Sequence, residues 1–183
     1  PSFGITLSVV LHHILGGLFT YLLCRSFKIS VPNSIMGGLI YCFLPGIFRS
    51  IFFLGNILYG QTITWPPLAL YAFKKAMDTP KITQAFRYAL LTGAIICVQL
   101  LAGAPQGAFI TQAGLFGFVL LSSIHLIVAR NYLIFWQRII LLVLAFAVGY
   151  SLPALQLLPT WEFASLSHRA LRISLDTAGI GSL

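Results

Sequence analysis

Apolar runs of about twenty residues divide this chain, and the gaps between them alternate between basic and almost uncharged. A run of that length spans the roughly 30 Å hydrocarbon core of a bilayer as a helix. Lipid offers no partner for a free N–H or C=O, so such runs cross as helices that satisfy their own backbone. The expected fold is therefore all-α, a polytopic transmembrane helical bundle. Only 8% of the residues are charged and 58% are hydrophobic, against about a quarter charged in soluble domains.

Six spans are expected, at about 5–23, 34–53, 55–73, 84–101, 108–128 and 133–152, with a more polar tail over 153–183. The chain opens at Pro1 without a methionine, no basic leader precedes the first run, and a small-residue tail closes it. It reads as one transmembrane domain that is a fragment of a longer membrane protein. No internal repeat is evident. Pro45-Gly46 interrupts the second span, leaving its first half as the part expected in the membrane and the remainder as a short surface helix. Trp65-Pro66-Pro67 breaks the third, where two missing N–H groups free carbonyls that neighbours or water must satisfy. Pro153 and Pro159 are expected to close the sixth.

Arg25, Lys28, Lys74, Lys75, Lys81, Arg87, Arg130 and Arg138 fall on one side of this arrangement, and Arg49, Arg169 and Arg172 on the other. The basic side is expected to be cytoplasmic and the tail to lie outside. The formal charge of +8 thus records topology and attraction to anionic lipid, and nucleic-acid binding is excluded. Trp65, Tyr150 and Trp161 near the outer ends, with Tyr132 and Trp136 near the inner, suit interfacial belts. Gly16-Gly17, Gly37-Gly38, Gly93-Ala94 and Gly114 with Gly117 are expected to let helices approach closely. The small-residue pair Gly103 and Gly107 sits at a turn containing Pro105 and is not read as a helix-packing motif.

Few side chains offer chemistry. His12 and His13 lie near the middle of the first span, where an ionisable group marks a candidate functional site. His125 lies about 11 residues deeper, roughly 16 Å at helical rise, which argues against a bis-histidine haem pair. A neutral histidine bonded to a neighbouring helix fits better. Cys24, Cys42 and Cys97 have no metal or redox spacing and read as buried thiols. Asp78 reads as a turn residue balancing local charge.

In the tail, Thr160 is placed to cap a helix whose first turn holds Glu162. Glu162, Ser165 and Arg169 share one face of it, and Trp161, His168 and Arg172 another. Such a helix suits the outer leaflet surface; equally, its carboxylate and two guanidiniums suit a phosphate-linked or sugar substrate. Arg49, Asn56, Gln61 and Trp65 in one outer turn, and Gln106 in another, offer amide and aromatic surface to sugar hydroxyls and rings.

The order of these features resembles the YfhO-type bacterial membrane proteins of the GT-C glycosyltransferase superfamily. The likeness rests on Leu11-His12-His13-Ile14-Leu15-Gly16-Gly17 through Tyr21-Leu22-Leu23-Cys24-Arg25, and on Gly55-Asn56-Ile57 leading to Thr64-Trp65-Pro66-Pro67-Leu68. It continues in Leu101-Ala102-Gly103-Ala104-Pro105-Gln106 and in Gln156-Leu157-Leu158-Pro159-Thr160-Trp161-Glu162, with Ser167 and Arg169. Ala104 stands where that family has a histidine.

The resemblance implies a partial GT-C-like membrane module in the bacterial cytoplasmic membrane. The implied activity is transfer of a sugar from a polyprenyl-phosphate donor to a cell-envelope polymer acceptor on the outer face. Membrane lipid, the lipid-linked sugar and that acceptor are its implied partners. On this reading Arg169 and Arg172 contact the donor phosphate, Glu162 orients a sugar hydroxyl or an arginine, and Gln106, Asn56 and Trp65 line the cavity, with Arg49 and His13 as further binding candidates. The catalytic acid such enzymes use as base or metal ligand is expected upstream of Pro1. No cofactor is evident; the resemblance leaves room for a divalent metal, which no residue set in this chain supports. The rival reading is a lipid-linked-sugar flippase or other transporter, suggested by Pro45, Pro66 and His13.

Overall fold

Among the described residues every element is a helix, and most helix ends follow the glycines, prolines and basic residues that punctuate the apolar runs. The computed structural model describes residues 2–44, 57–151 and 153–166. In chain order its helices are α1 (Ser2–Ser26), α2 (Val31–Cys42), α3 (Ile57–Ile63), α4 (Pro66–Asp78), α5 (Ile82–Leu101), α6 (Pro105–Val128), α7 (Tyr132–Ser151) and α8 (Ala154–Leu166). Four of these, α1 from Phe3 onward, α5, α6 and α7, are long and apolar enough to cross a membrane.

The second expected span is shorter than the sequence suggests. α2 stops at Cys42, three residues before Pro45, because a residue preceding proline is pushed out of the helical region; the rest of that span lies outside the described residues. The third span is two helices, α3 and α4, separated by Thr64 and Trp65. Pro66 and Pro67 open α4, where the missing N–H groups have no helical partner in any case. At the far end, Pro159 does not terminate anything. It sits inside α8, which begins at Ala154, so Thr160 is a helical residue and not a cap.

Two turns share one device. After α1, Lys28 takes a left-handed φ of 61°, with Ile29 N–H donating to Cys24 O and Lys28 N–H to Arg25 O. After α6, Arg130 (φ 55°) does the same, with Asn131 N–H donating to Leu126 O and Arg130 N–H to Ile127 O. This is the Schellman end, normally held by glycine. Here basic residues hold it, supplying the charge that the loop and the helix carboxyl end favour. Arg130→Gly is expected to raise stability by about 0.5–1 kcal/mol by relieving left-handed strain, read as a higher unfolding midpoint in detergent.

Packing is carried by small residues. Ala69, Ala72, Ala76, Ala85, Ala89, Ala108 and Ala145 are buried with Phe73, Ile96, Leu115 and Val119. Close approach is needed because lipid supplies no hydrophobic drive between helices, and van der Waals contact must replace it. At the α1–α2 crossing, a Cβ on Gly38 would meet Gly17 O at 2.7 Å; at α5–α7, one on Gly93 would meet Ala145 O at 2.7 Å. Gly114 and Gly117 differ from expectation, since nothing described lies within 4 Å of a Cβ on either. Gly107 does pack closely: a Cβ there would lie 2.6 Å from Thr62 Cγ2 of α3.

Candidate functional site

The break between α3 and α4 concentrates the bundle's buried polar chemistry. In an unbroken helix the N–H of residue 66 would bond to Thr62 O, and that of 67 to Ile63 O. Prolines at both positions remove both helical donors, leaving Thr62 O a long turn bond from Trp65 N–H at 3.4 Å. Each carbonyl is captured by a side chain from a different helix. Gln99 of α5 donates through Nε2 to Thr62 O at 2.9 Å, and Tyr41 of α2 donates its hydroxyl to Ile63 O. Gln99 Nε2 also donates to Thr111 Oγ1 at 2.8 Å, and Thr111 donates on to Gly107 O at 3.0 Å. Gln99 and Thr62 are fully buried. The kinked span is thus satisfied from within the chain.

α1 closes the other side of the break. Thr64 Oγ1 shares its one proton between His12 O at 3.2 Å and Gly60 O at 3.1 Å, Gln61 Nε2 donates to Ser8 Oγ at 3.0 Å, and Cys42 Sγ to His13 O at 3.2 Å. His12 Nδ1 lies 2.8 Å from Ser8 O, so Nδ1 carries the proton and donates to a carbonyl of its own helix. The His12 ring therefore does not make the bond to a neighbouring helix expected of it through Nδ1, while the backbone carbonyls of both histidines accept bonds from Thr64 and Cys42. His12, His13, Gly16, Tyr41, Cys42, Gly60, Ile63 and Thr64 surround a cavity of about 10 Å³, room for about one water molecule.

Trp65 stands at the break, half-buried, with its ring 5.8 Å from Phe19 and edge-on to His12 at 6.5 Å. It is partly buried and packs against the core of the bundle. His13 lines the small cavity beside it. Gln106, the second residue of α6, and Glu162 in α8 are exposed, and neither lines that cavity. Arg49, Asn56, Arg169 and Arg172 lie outside the described residues. Asp78 ends α4 and is paired with Lys74 one turn back, whose ammonium also lies 4.9 Å from the Phe27 ring centre. Among the described residues no three His, Cys, Asp or Glu side chains come together as a metal site.

One residue escaped the sequence reading. Arg138, grouped there with the basic gap, lies well inside α7 and donates through Nη1 to Ser122 O at 2.9 Å and Ser123 Oγ at 3.0 Å of α6. Its position beyond Tyr132-Leu133-Ile134-Phe135-Trp136 was the available signal, because an arginine within an apolar span needs partners.

Residues 2–120, more than half of the chain, match the 6-pyruvoyl-tetrahydropterin synthase related domain, a membrane protein family. The chain belongs to that family. The matched region of this family member holds the whole break, including Pro66, Pro67 and their donors Tyr41 and Gln99. No curated protein matches the chain, and no solved structure does.

Proposed function

We propose that the full-length protein is an integral membrane glycosyltransferase of the GT-C type, moving a sugar from a polyprenyl-phosphate donor to a cell-envelope acceptor. The observation that carries this reading is the meeting of two segments on which the YfhO-type resemblance rests. The Thr64-Trp65-Pro66-Pro67 break and the Gly103-to-Gln106 turn are far apart in sequence. Yet Gly107 packs on Thr62, a Cβ on Gly103 would touch Leu58 at 3.8 Å, and Gln99 bonds Thr62. Motifs that meet at one end of a bundle support a shared site.

In this reading the bundle crosses six times, with α2 and the segment after it as one crossing and α3–α4 as another. The Lys74-to-Lys81 end faces the cytoplasm of a bacterial cell, following the bias of basic residues. Gln106 and Glu162 then face outward with Arg169 and Arg172, which hold the donor phosphate. The transporter reading draws on the broken helix at α3–α4. Against it, the carbonyls freed there are already engaged by Tyr41 and Gln99 and are not open to a transported ion.

The test is Arg169→Ala in the full-length protein. Loss of an arginine–phosphate pair is expected to lower sugar incorporation into the envelope polymer at least about tenfold. Unchanged incorporation removes that residue from the site.

A further inference from the structure

At the end of the bundle away from the Gly103 turn, α4, α5 and α7 leave a cleft with two chemically different halves. One is a cavity of about 320 Å³ lined by Asp78, Thr79, Gln137 and Arg138. The other is a groove of about 580 Å³ walled by Phe86, Leu133, Trp136, Ile140 and Leu144. They adjoin, sharing Pro80, Gln137 and Leu141. The groove is part of the outer surface, with Ile140 65% and Leu133 82% exposed.

Arg138 sits at the junction. Of its five N–H donors, Nη1 is committed to Ser122 and Ser123. Nε is sealed from solvent with no partner among the described residues, and no bond among them occupies Nη2. A guanidinium held this way is under-solvated, and an anion reaching its free edge gains a charge-assisted bond. Asp78, the acid in the cavity, is paired with Lys74 at the surface and its charge also bears on Arg138, so an entering phosphate competes with it for the guanidinium. Lys81 and Arg87, both exposed, flank Ile82 and Phe86 of the groove in sequence.

We infer that this cleft binds an anionic phospholipid, its phosphate on Arg138 and an acyl chain along the Phe86–Leu144 groove. A charged pocket opening directly into a lipid-facing apolar groove matches such a molecule at both ends, and basic pockets between transmembrane helices take anionic headgroups. The bound lipid ties α7 to the α4–α5 turn at the level where Trp136, 58% exposed, marks the interface.

The test titrates full-length protein in neutral detergent with phosphatidylglycerol, phosphatidylethanolamine and phosphatidylcholine of matched chains, and with glycerol phosphate, read by native mass spectrometry. Phosphatidylglycerol is expected to bind at least about tenfold tighter than either zwitterionic lipid, and glycerol phosphate, lacking the chains, to be retained least. Arg138→Gln is expected to abolish the preference. Ile140→Trp, which fills the groove and spares the Ser122 and Ser123 bonds, is expected to weaken phosphatidylglycerol binding. Equal binding of the three lipids, or of glycerol phosphate and phosphatidylglycerol, overturns the inference. So does a folded Arg138→Gln protein that keeps the preference; if that variant does not fold, unchanged binding by Ile140→Trp overturns it.

Discussion

Gly93→Ala is expected to destabilise the bundle by about 2–3 kcal/mol, the upper range for overpacking a well-filled core. The added carbon would lie 2.7 Å from Ala145 O, 2.8 Å from Val148 Cβ and 2.9 Å from Val148 Cγ1. A backbone oxygen has no rotamer to escape into, so α7 must move off α5. That motion also disturbs Gly149, where a Cβ would already be 2.7 Å from Ile96 Cγ2. Gly114→Ala is the control. Its Cβ enters open space, and alanine is the better helix former by about 0.5–1 kcal/mol, so stability is expected to hold or rise. Thermal unfolding in detergent, followed by circular dichroism, compares the two; a Gly93→Ala protein as stable as Gly114→Ala contradicts the packing described.

The second large effect concerns the break. Gln99→Leu keeps most of the volume and removes the donor to Thr62 O and Thr111 Oγ1. Leaving a buried carbonyl short of its partner costs about 1–3 kcal/mol, and the lower part of that range is expected because Thr62 O keeps the long bond from Trp65 N–H and bundle relaxation finds substitutes. Tyr41→Phe, which strips the donor from Ile63 O, is expected to cost about the same. The prolines cause the need, so the effects are coupled. In a Pro66→Ala background an N–H returns beneath Thr62 O, and Gln99→Leu is expected to cost at least about 1 kcal/mol less than in the native chain. Additive costs in that double-mutant cycle would sever Gln99 from the break.

Much of the architecture was legible because the membrane imposes simple lengths. Runs near a crossing length identified α1, α5, α6 and α7, and the Trp65-Pro66-Pro67 triplet marked the break between α3 and α4 to within a residue. Gly17, Gly38 and Gly93 signal close contacts in the sequence for the same reason they make them, the absence of a side chain where backbones meet. Gly114 and Gly117 carry the same signal, yet nothing described lies within 4 Å of a Cβ on either. Pro159 misled differently, since a helix tolerates one proline at the loss of one bond near its start.

The sequence by itself determined that this chain is a helical membrane protein, and that Pro66 and Pro67 break a helix and free carbonyls that need donors. Only the tertiary structure decided who supplies them, Gln99 from 37 residues away and Tyr41 from 22, and that Arg138 reaches across to α6. The physical reason lies in the solvent. In water a buried face is more apolar than an exposed one, so periodicity reveals which side of a helix meets its neighbours. In lipid both faces are apolar, and the pairing of helices leaves no such periodic mark along the chain.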